Sequence, residues 1–177
     1  MSRQKGDIMR EVLISIQPKW CKLICSKEKT VEVRKNRPNC ELPFKCYIYC
    51  TKRKPTFTQS AFCDDISNGK VIGEFVCDRI TEYECSSVGF GELATTCGTC
   101  LTYDEILNYC NGNDLYGWHI TDLVVYDEPR GLSDFLLYNV RAYIDEKNGL
   151  PMPTHEISRP FQSWGYVKAK EPRQTAD

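Results

Sequence analysis

The sequence predicts an α+β domain in which about five to six short strands close into a small β-barrel with flanking helices. Two observations carry that prediction. Strand-like segments outnumber helical ones, and they do not alternate strictly with helices, as a parallel α/β sheet would require. A length of 177 residues fits one domain with a sizeable core, and 41% hydrophobic with 27% charged residues is a globular composition. No internal repeat or low-complexity tract is present.

Residues 1–10 are polar and read as a flexible N-terminus. Glu11 to Ile16 alternates, with Val12, Ile14 and Ile16 on one parity, and predicts the first strand. Pro18 suits the first turn of a helix, and Trp20, Leu23, Ile24 and the Cys21/Cys25 pair give that helix an apolar stripe to about Lys27. The segment after it, Ser26 to Arg37, reads as a polar turn followed by a short strand. Val31 and Val33 share one parity; Thr30, Glu32 and Arg34 share the other. Phe44 to Thr51 is rich in aromatic and β-branched residues and predicts a strand, followed by the basic loop Lys52-Arg53-Lys54-Pro55. Residues 56–69 read as an exposed loop ending in the turn Asn68-Gly69.

Lys70 to Ile80 is the longest strand candidate, with Gly73 marking a bulge or a close backbone approach. Thr81 to Cys100 reads as irregular, with turns at Gly89 and Gly91. Thr102-Tyr-Asp-Glu105 is a capping box, stapled by Leu101 and Ile106, and Asn111-Gly112 ends the helix it starts. Tyr116 to Tyr126 returns to strand character, and Asp127 to Gly131 reads as a turn. Leu132 to Ile144 stays open between helix and strand. Residues 145–160 read as loop, Phe161 to Lys168 as a last strand, and 169–177 as a disordered tail. Residues 11–168 are therefore expected to form the single domain.

The apolar run near the start, Val12 to Ile16, is too short for a signal-peptide core, and nothing later approaches a membrane span. The expectation is a soluble, cytoplasmic protein with no membrane partner. Eleven cysteines, without a secretion signal, read as reduced and partly buried thiols. Cys97-Gly-Thr-Cys100 is the one CxxC; no second pair or close His pair completes four zinc ligands around it, so neither metal nor cofactor is expected. Net charge is −1, but residues 1–55 hold 14 Lys/Arg against 5 Asp/Glu and the remainder 9 against 19. A basic first third on an acidic body suits an anionic partner, nucleic acid being the usual one, unless the two halves simply neutralise each other on folding.

The densest polar constellation is Lys29, Glu32 and Arg34. On a rigid strand these form either a compact ligand-holding set or an ordinary surface ion pair. Lys29-x-x-Glu32-x-Arg34 resembles the GxKxxExR signature of the ASCH domain, a PUA-like family, with Lys27 where the family usually has Gly. The segments SIQPKW, FKCYIYCTK, KVIGEFVCDRI, YGWHITDLVVYDEPRGLSDF and RPFQSWGYV together resemble ASCH proteins of the kind common in Firmicutes and their phages, over residues 11–168.

The resemblance implies a PUA-like barrel with a cleft beside the first helix, into which the motif residues point. It also implies binding of RNA or nucleotide-like ligands, and in some relatives hydrolysis of N4-acetylcytidine or of RNA. The amidohydrolase subgroup carries Lys-x-x-Thr, whose Thr is the nucleophile. Here Glu32 stands at that position and Thr30 lies two residues earlier. A carboxylate cannot take over a hydroxyl's covalent role in amide hydrolysis.

Three functions follow. The first is binding of RNA or a nucleotide, with Lys29, Thr30, Glu32, Arg34 and Lys35 at its centre, Lys52, Arg53 and Lys54 contacting phosphate, and Tyr116 or Trp118 supplying a stacking face if they are not core. The second is a metal-independent hydrolase acting on RNA or a modified nucleoside. Glu32 would be its general base, with Lys29 and Arg34 stabilising charge. The third is a protein-interaction factor, phage-encoded or binding a host component.

Overall fold

The computed structural model describes residues 11–52, 68–138, 144–145, 150–151 and 153–171. In chain order the elements are β1 (Glu11–Ile16), α1 (Pro18–Cys25), β2 (Val31–Arg34), β3 (Phe44–Cys50), β4 (Val71–Tyr83), α2 (Ser87–Thr95), α3 (Tyr103–Cys110) and β5 (Leu115–Arg130). A 3-10 turn (Leu132–Asp134), β6 (Phe135–Tyr138), β7 (Ile144–Asp145), β8 (Leu150–Pro151), β9 (Pro153–Glu156) and β10 (Trp164–Ala169) complete the chain.

The α+β class holds. One mixed sheet runs β2-β5-β4-β3-β1-β10-β6-β9, and β7 pairs with β8 separately. Only β1 and β3 run parallel within it. The sheet has eight strands where five to six were expected. Its edge strands β2 and β9 are not paired with each other among the described residues. The additional strands come partly from the proline-rich stretch that reads as loop. β9 opens on Pro153 at the edge of the sheet, where a missing backbone donor is tolerated.

Two further expectations are corrected. The stretch from Thr81 to Cys100 is not irregular: β4 continues to Tyr83, and α2 follows with Ser86 accepting from the Gly89 amide at 3.1 Å. Gly89 and Gly91 lie within that helix, so glycine there was misleading as a turn signal. Asp127 to Arg130 is strand rather than turn, because β4 is long enough to carry its partner to a Val71–Arg130 pair. β10 also runs to Ala169, one residue beyond the expected domain boundary. The expected flexible residues 1–10 and most of the expected tail lie outside the described residues.

The sheet buries both faces. Val12, Ile14 and Ile16 of β1 join Cys21 and Ile24 of α1, Phe44, Ile48, Phe75 and Trp118 in one core cluster. Leu13 points the other way, to Tyr47, Tyr49, Val71, Phe135 and Val167. A third cluster sets Val33, Tyr83 and Leu115 against Phe90 and Leu93 of α2 and Ile106 and Cys110 of α3. β2 therefore has helices α2 and α3 behind its valines and the main core beside its polar parity. Each fully buried Ile, Leu or Phe here contributes about 1.5–3 kcal/mol over exposure.

Candidate ligand site

Lys29 closes the turn between α1 and β2. Its amide donates to Leu23 O at 2.9 Å and that of Lys27 to Ile24 O at 2.9 Å, so the turn hangs on the last coil of α1. Lys27 adopts φ +63°, the left-handed conformation that glycine takes without strain. This is the position where the resembled signature has Gly.

The three charges of the motif are buried together. Lys29 Nζ lies 3.5 Å from Glu32 Oε2, and Arg34 Nη2 lies 3.1 Å from Glu32 Oε1, with side chains only 2%, 6% and 11% exposed for Lys29, Glu32 and Arg34. The expected alternative of a surface ion pair is thus overturned. Both faces of β2 are covered, one by the α2–α3 layer and the other by the main core. Lys29 also donates to Val31 O at 2.9 Å and Thr99 O at 2.5 Å. Arg34 Nη2 reaches across to Ser15 O of β1 at 2.7 Å.

Burial pushes the Lys29 ammonium below the usual lysine range, opposed by the adjacent Glu32 carboxylate. Two cations share one carboxylate, so the cluster holds an excess positive charge in a poorly solvated place. Among the described residues, three buried side-chain atoms have no hydrogen-bond partner: Glu32 Oε2, Arg34 Nε and Trp118 Nε1. Glu32 and Trp118 are direct cross-strand partners, as are Arg34 and Tyr116, so all four side chains share one face of the sheet. These atoms, two N–H donors and one carboxylate oxygen whose contact with Lys29 Nζ is an ion pair at 3.5 Å, are all enclosed on that face.

No family model matches the chain, and no curated protein matches it. Solved structures do, among them three of an ASCH protein from Zymomonas mobilis. ASCH from Zymomonas mobilis is 20% identical with a TM-score of 0.55, covering 89% of this chain and 87% of that one. A serine-to-alanine variant of it is 19% identical with a TM-score of 0.55, covering 90% and 89%. A tyrosine-to-phenylalanine variant is 22% identical with a TM-score of 0.50, covering 69% and 76%.

The chain has the ASCH fold.

This agrees with the expected α+β class. Within this ASCH fold the sequence-predicted residues separate into three groups. Lys29, Glu32 and Arg34 come together. Thr30 is exposed at the mouth of β2, bonded through its backbone to Gly98 O and to the amide of Ile120. Tyr116 is half-buried, donating to Glu82 Oε1 at 3.2 Å, with the Arg37 guanidinium 6.0 Å over its ring.

Trp118 is a core residue with no open face: it is 0% exposed, edge-on to Phe44 at 5.6 Å and tilted against Trp164 at 5.9 Å. As a stacking platform it is ruled out, and its Nε1–H is enclosed as well. Lys35 is exposed with its ammonium 5.2 Å over Tyr109, and the exposed Lys52 lays its methylenes across Gly69. Arg53 and Lys54 lie outside the described residues.

Several residues of the site escape sequence reading. Trp20 of α1 is half-buried, with Lys29 Nζ 5.1 Å and Lys19 Nζ 4.0 Å from its ring centre. The backbone carbonyl of Ser15 anchors Arg34, a contact that no side chain in β1 signals; the Ser15 hydroxyl donates to Phe161 O instead. Thr99 anchors Lys29 from within the CxxC. His119 is hydrogen-bonded between Arg79 and Thr81 at 3.1 and 3.0 Å, and burial holds it below the ordinary imidazole range. Cys97 and Cys100 are exposed free thiols. Among the described residues no group of three His, Cys, Asp or Glu is placed to hold a metal ion, and no helix is long and apolar enough to cross a membrane.

Proposed function

We propose that this protein binds RNA or a nucleotide-like ligand through Lys29, Glu32 and Arg34. The observation that carries this reading is the buried cluster with its excess positive charge and its unspent Glu32 Oε2 and Arg34 Nε atoms. A buried charge without full compensation is costly, and buried polar atoms are rarely left unpaired. A ligand that is anionic and carries both an acceptor and an N–H donor relieves both costs. A nucleobase edge linked to phosphate has that chemistry: Glu32 accepts from an exocyclic amine, Arg34 donates to a ring nitrogen or carbonyl, and Lys29 supplies the counter-charge. The half-buried Trp20, already under two ammonium groups, is the aromatic face nearest to Lys29. Lys35 and Lys52 are further exposed cations among the described residues.

Salt-titrated binding of short RNAs and of nucleoside monophosphates tests the reading. Arg34→Lys keeps the charge but removes the Nε–H and the planar fork, and is expected to weaken binding about tenfold. Affinity indifferent both to salt and to this substitution overturns the proposal.

A hydrolytic reading has one specific observation in its favour, the Lys29 ammonium held below its usual range in contact with a carboxylate. Such a pair moves a proton more readily than a solvated one. Turnover of RNA or acetylated cytidine that is abolished by Glu32→Gln in a folded variant supports it; turnover that survives excludes Glu32 as the base.

A further inference from the structure

The CxxC has no part in the binding scheme, yet it is fastened to the residues that do. Gly98 O accepts from the amides of both Thr30 and Val31, at 2.8 and 3.0 Å. Thr99, buried, accepts from Lys29 Nζ at 2.5 Å. Cys100 Sγ donates to Glu28 O at 3.5 Å. Residues 98–100 thus form a strap bonded to every residue from Glu28 to Val31. The two thiols that bracket the strap are both exposed. Its backbone already uses two left-handed conformations, φ +89° at Gly98 and φ +57° at Cys100.

We infer that Cys97 and Cys100 are a dithiol modification site, oxidised by low-molecular-weight disulfides, whose state sets how Lys29 is held. One cysteine thiolate attacks a small disulfide RSSR, giving a mixed disulfide and releasing RS−. The other thiolate displaces the second RS− and closes the Cys97–Cys100 bond. Two electrons pass to RSSR, and the two thiol protons end on two molecules of RSH.

The consequence for Lys29 follows from bonding. A disulfide carries no S–H, so the Cys100 bond to Glu28 O is lost on oxidation. The Cys100 sulfur must also turn toward Cys97 to meet the narrow geometry of an S–S bond. Thr99 lies between the two cysteines, and its carbonyl moves with them. Lys29 then keeps Val31 O and Glu32 but loses Thr99 O as a partner. Only the effect on ligand affinity rests on the binding function proposed above; the dithiol chemistry and the change at Lys29 do not.

The whole 177-residue chain, titrated with oxidised glutathione and mapped by peptide mass spectrometry, tests the inference. Cys85 is exposed and outside any CxxC, and serves as the internal reference. It is expected to retain a glutathione adduct, while Cys97 and Cys100 are recovered linked to each other. Labelling of Lys29 by an amine-acylating reagent is expected to rise about tenfold on oxidation, as loss of one charge-assisted hydrogen bond implies. The Cys97→Ser and Cys100→Ser variants, altered only at exposed positions, are expected to show no such rise. Separate glutathione adducts on Cys97 and Cys100, like that on Cys85, overturn the inference. So does a linked pair with Lys29 labelling unchanged. Neither readout needs a ligand, so failure of RNA binding leaves both results interpretable.

Discussion

At the scale of single residues, Lys27 and Lys29 show how backbone and charge are set by different means. Lys27 occupies a left-handed conformation at φ +63° with a side chain that is exposed. Lys27→Gly removes the steric penalty of that conformation and raises only the entropy of the unfolded chain. Stability is expected to increase by about 0.5–1 kcal/mol, read from urea midpoints. Lys29 is governed instead by burial, which lowers its affinity for a proton against the pull of Glu32. Its folded value lies below its unfolded one, so the protonated form carries a cost in the folded state that is relieved as pH rises past the folded value. Binding of an anionic ligand runs the other way, because it needs the ammonium. Affinity is therefore expected to fall on the alkaline side at a lower pH than an ordinary lysine would give. A binding curve flat across that range would show that Lys29 carries no charge relevant to the ligand.

Two elements set the site's surroundings. Helix α3 starts from a reciprocal cap: the Glu105 amide donates to Thr102 Oγ1 at 3.2 Å and the Thr102 amide to Glu105 Oε2 at 3.0 Å. Thr102→Ala removes the Oγ1 that accepts from the Glu105 amide, leaves the backbone amide of residue 102 to Glu105, and is expected to cost about 1 kcal/mol in chemical denaturation, without change at Lys29. The strap at residues 98–100 is the contrasting case. A Cβ at Gly98 would stand 2.0 Å from Thr30 Oγ1, and φ there is +89°. Gly98→Ala therefore must displace either the strap or Thr30, and is expected to cost about 2 kcal/mol or more. Its distinguishing signature is exposure of Lys29 to acylating reagents in the reduced protein. Unchanged Lys29 labelling in that variant would mean that the strap does not hold the lysine.

For the molecule as a whole, the layer formed by α2 and α3 decides what kind of place the motif occupies. Leu93 is fully buried in that layer, in the cluster that includes Val33 of β2. Leu93→Ala is expected to cost about 2–4 kcal/mol and to speed hydrogen exchange at the amides of β2 more than at those of β1. Equal acceleration in both strands would show that the layer does not support β2 in particular. The main sheet, buried on both faces by the other two clusters, ties the motif to β1 through the Arg34 bond to Ser15 O.

The amino-acid sequence determined the local structure wherever side-chain parity, a proline or a capping box acts within a few residues. The alternation in β1 and β2, the start of α1 at Pro18 and the reciprocal cap of α3 belong to this class, and so does the grouping of Lys29, Glu32 and Arg34. Parity put the two valines on one face and the two charges on the other, and the chain folds that way. Burial was not legible, because it depends on what covers the second face. Helix α2, hidden behind two glycines, and the distant Trp118 and Ser15 decide that the charges are enclosed rather than solvated. The joining of the CxxC to the motif is likewise tertiary, a contact across some seventy residues of chain. A short ion-pairing sequence carries the same local pattern at a surface or in a core; only the packing around it converts a modest surface pair into a buried charge excess that favours a ligand.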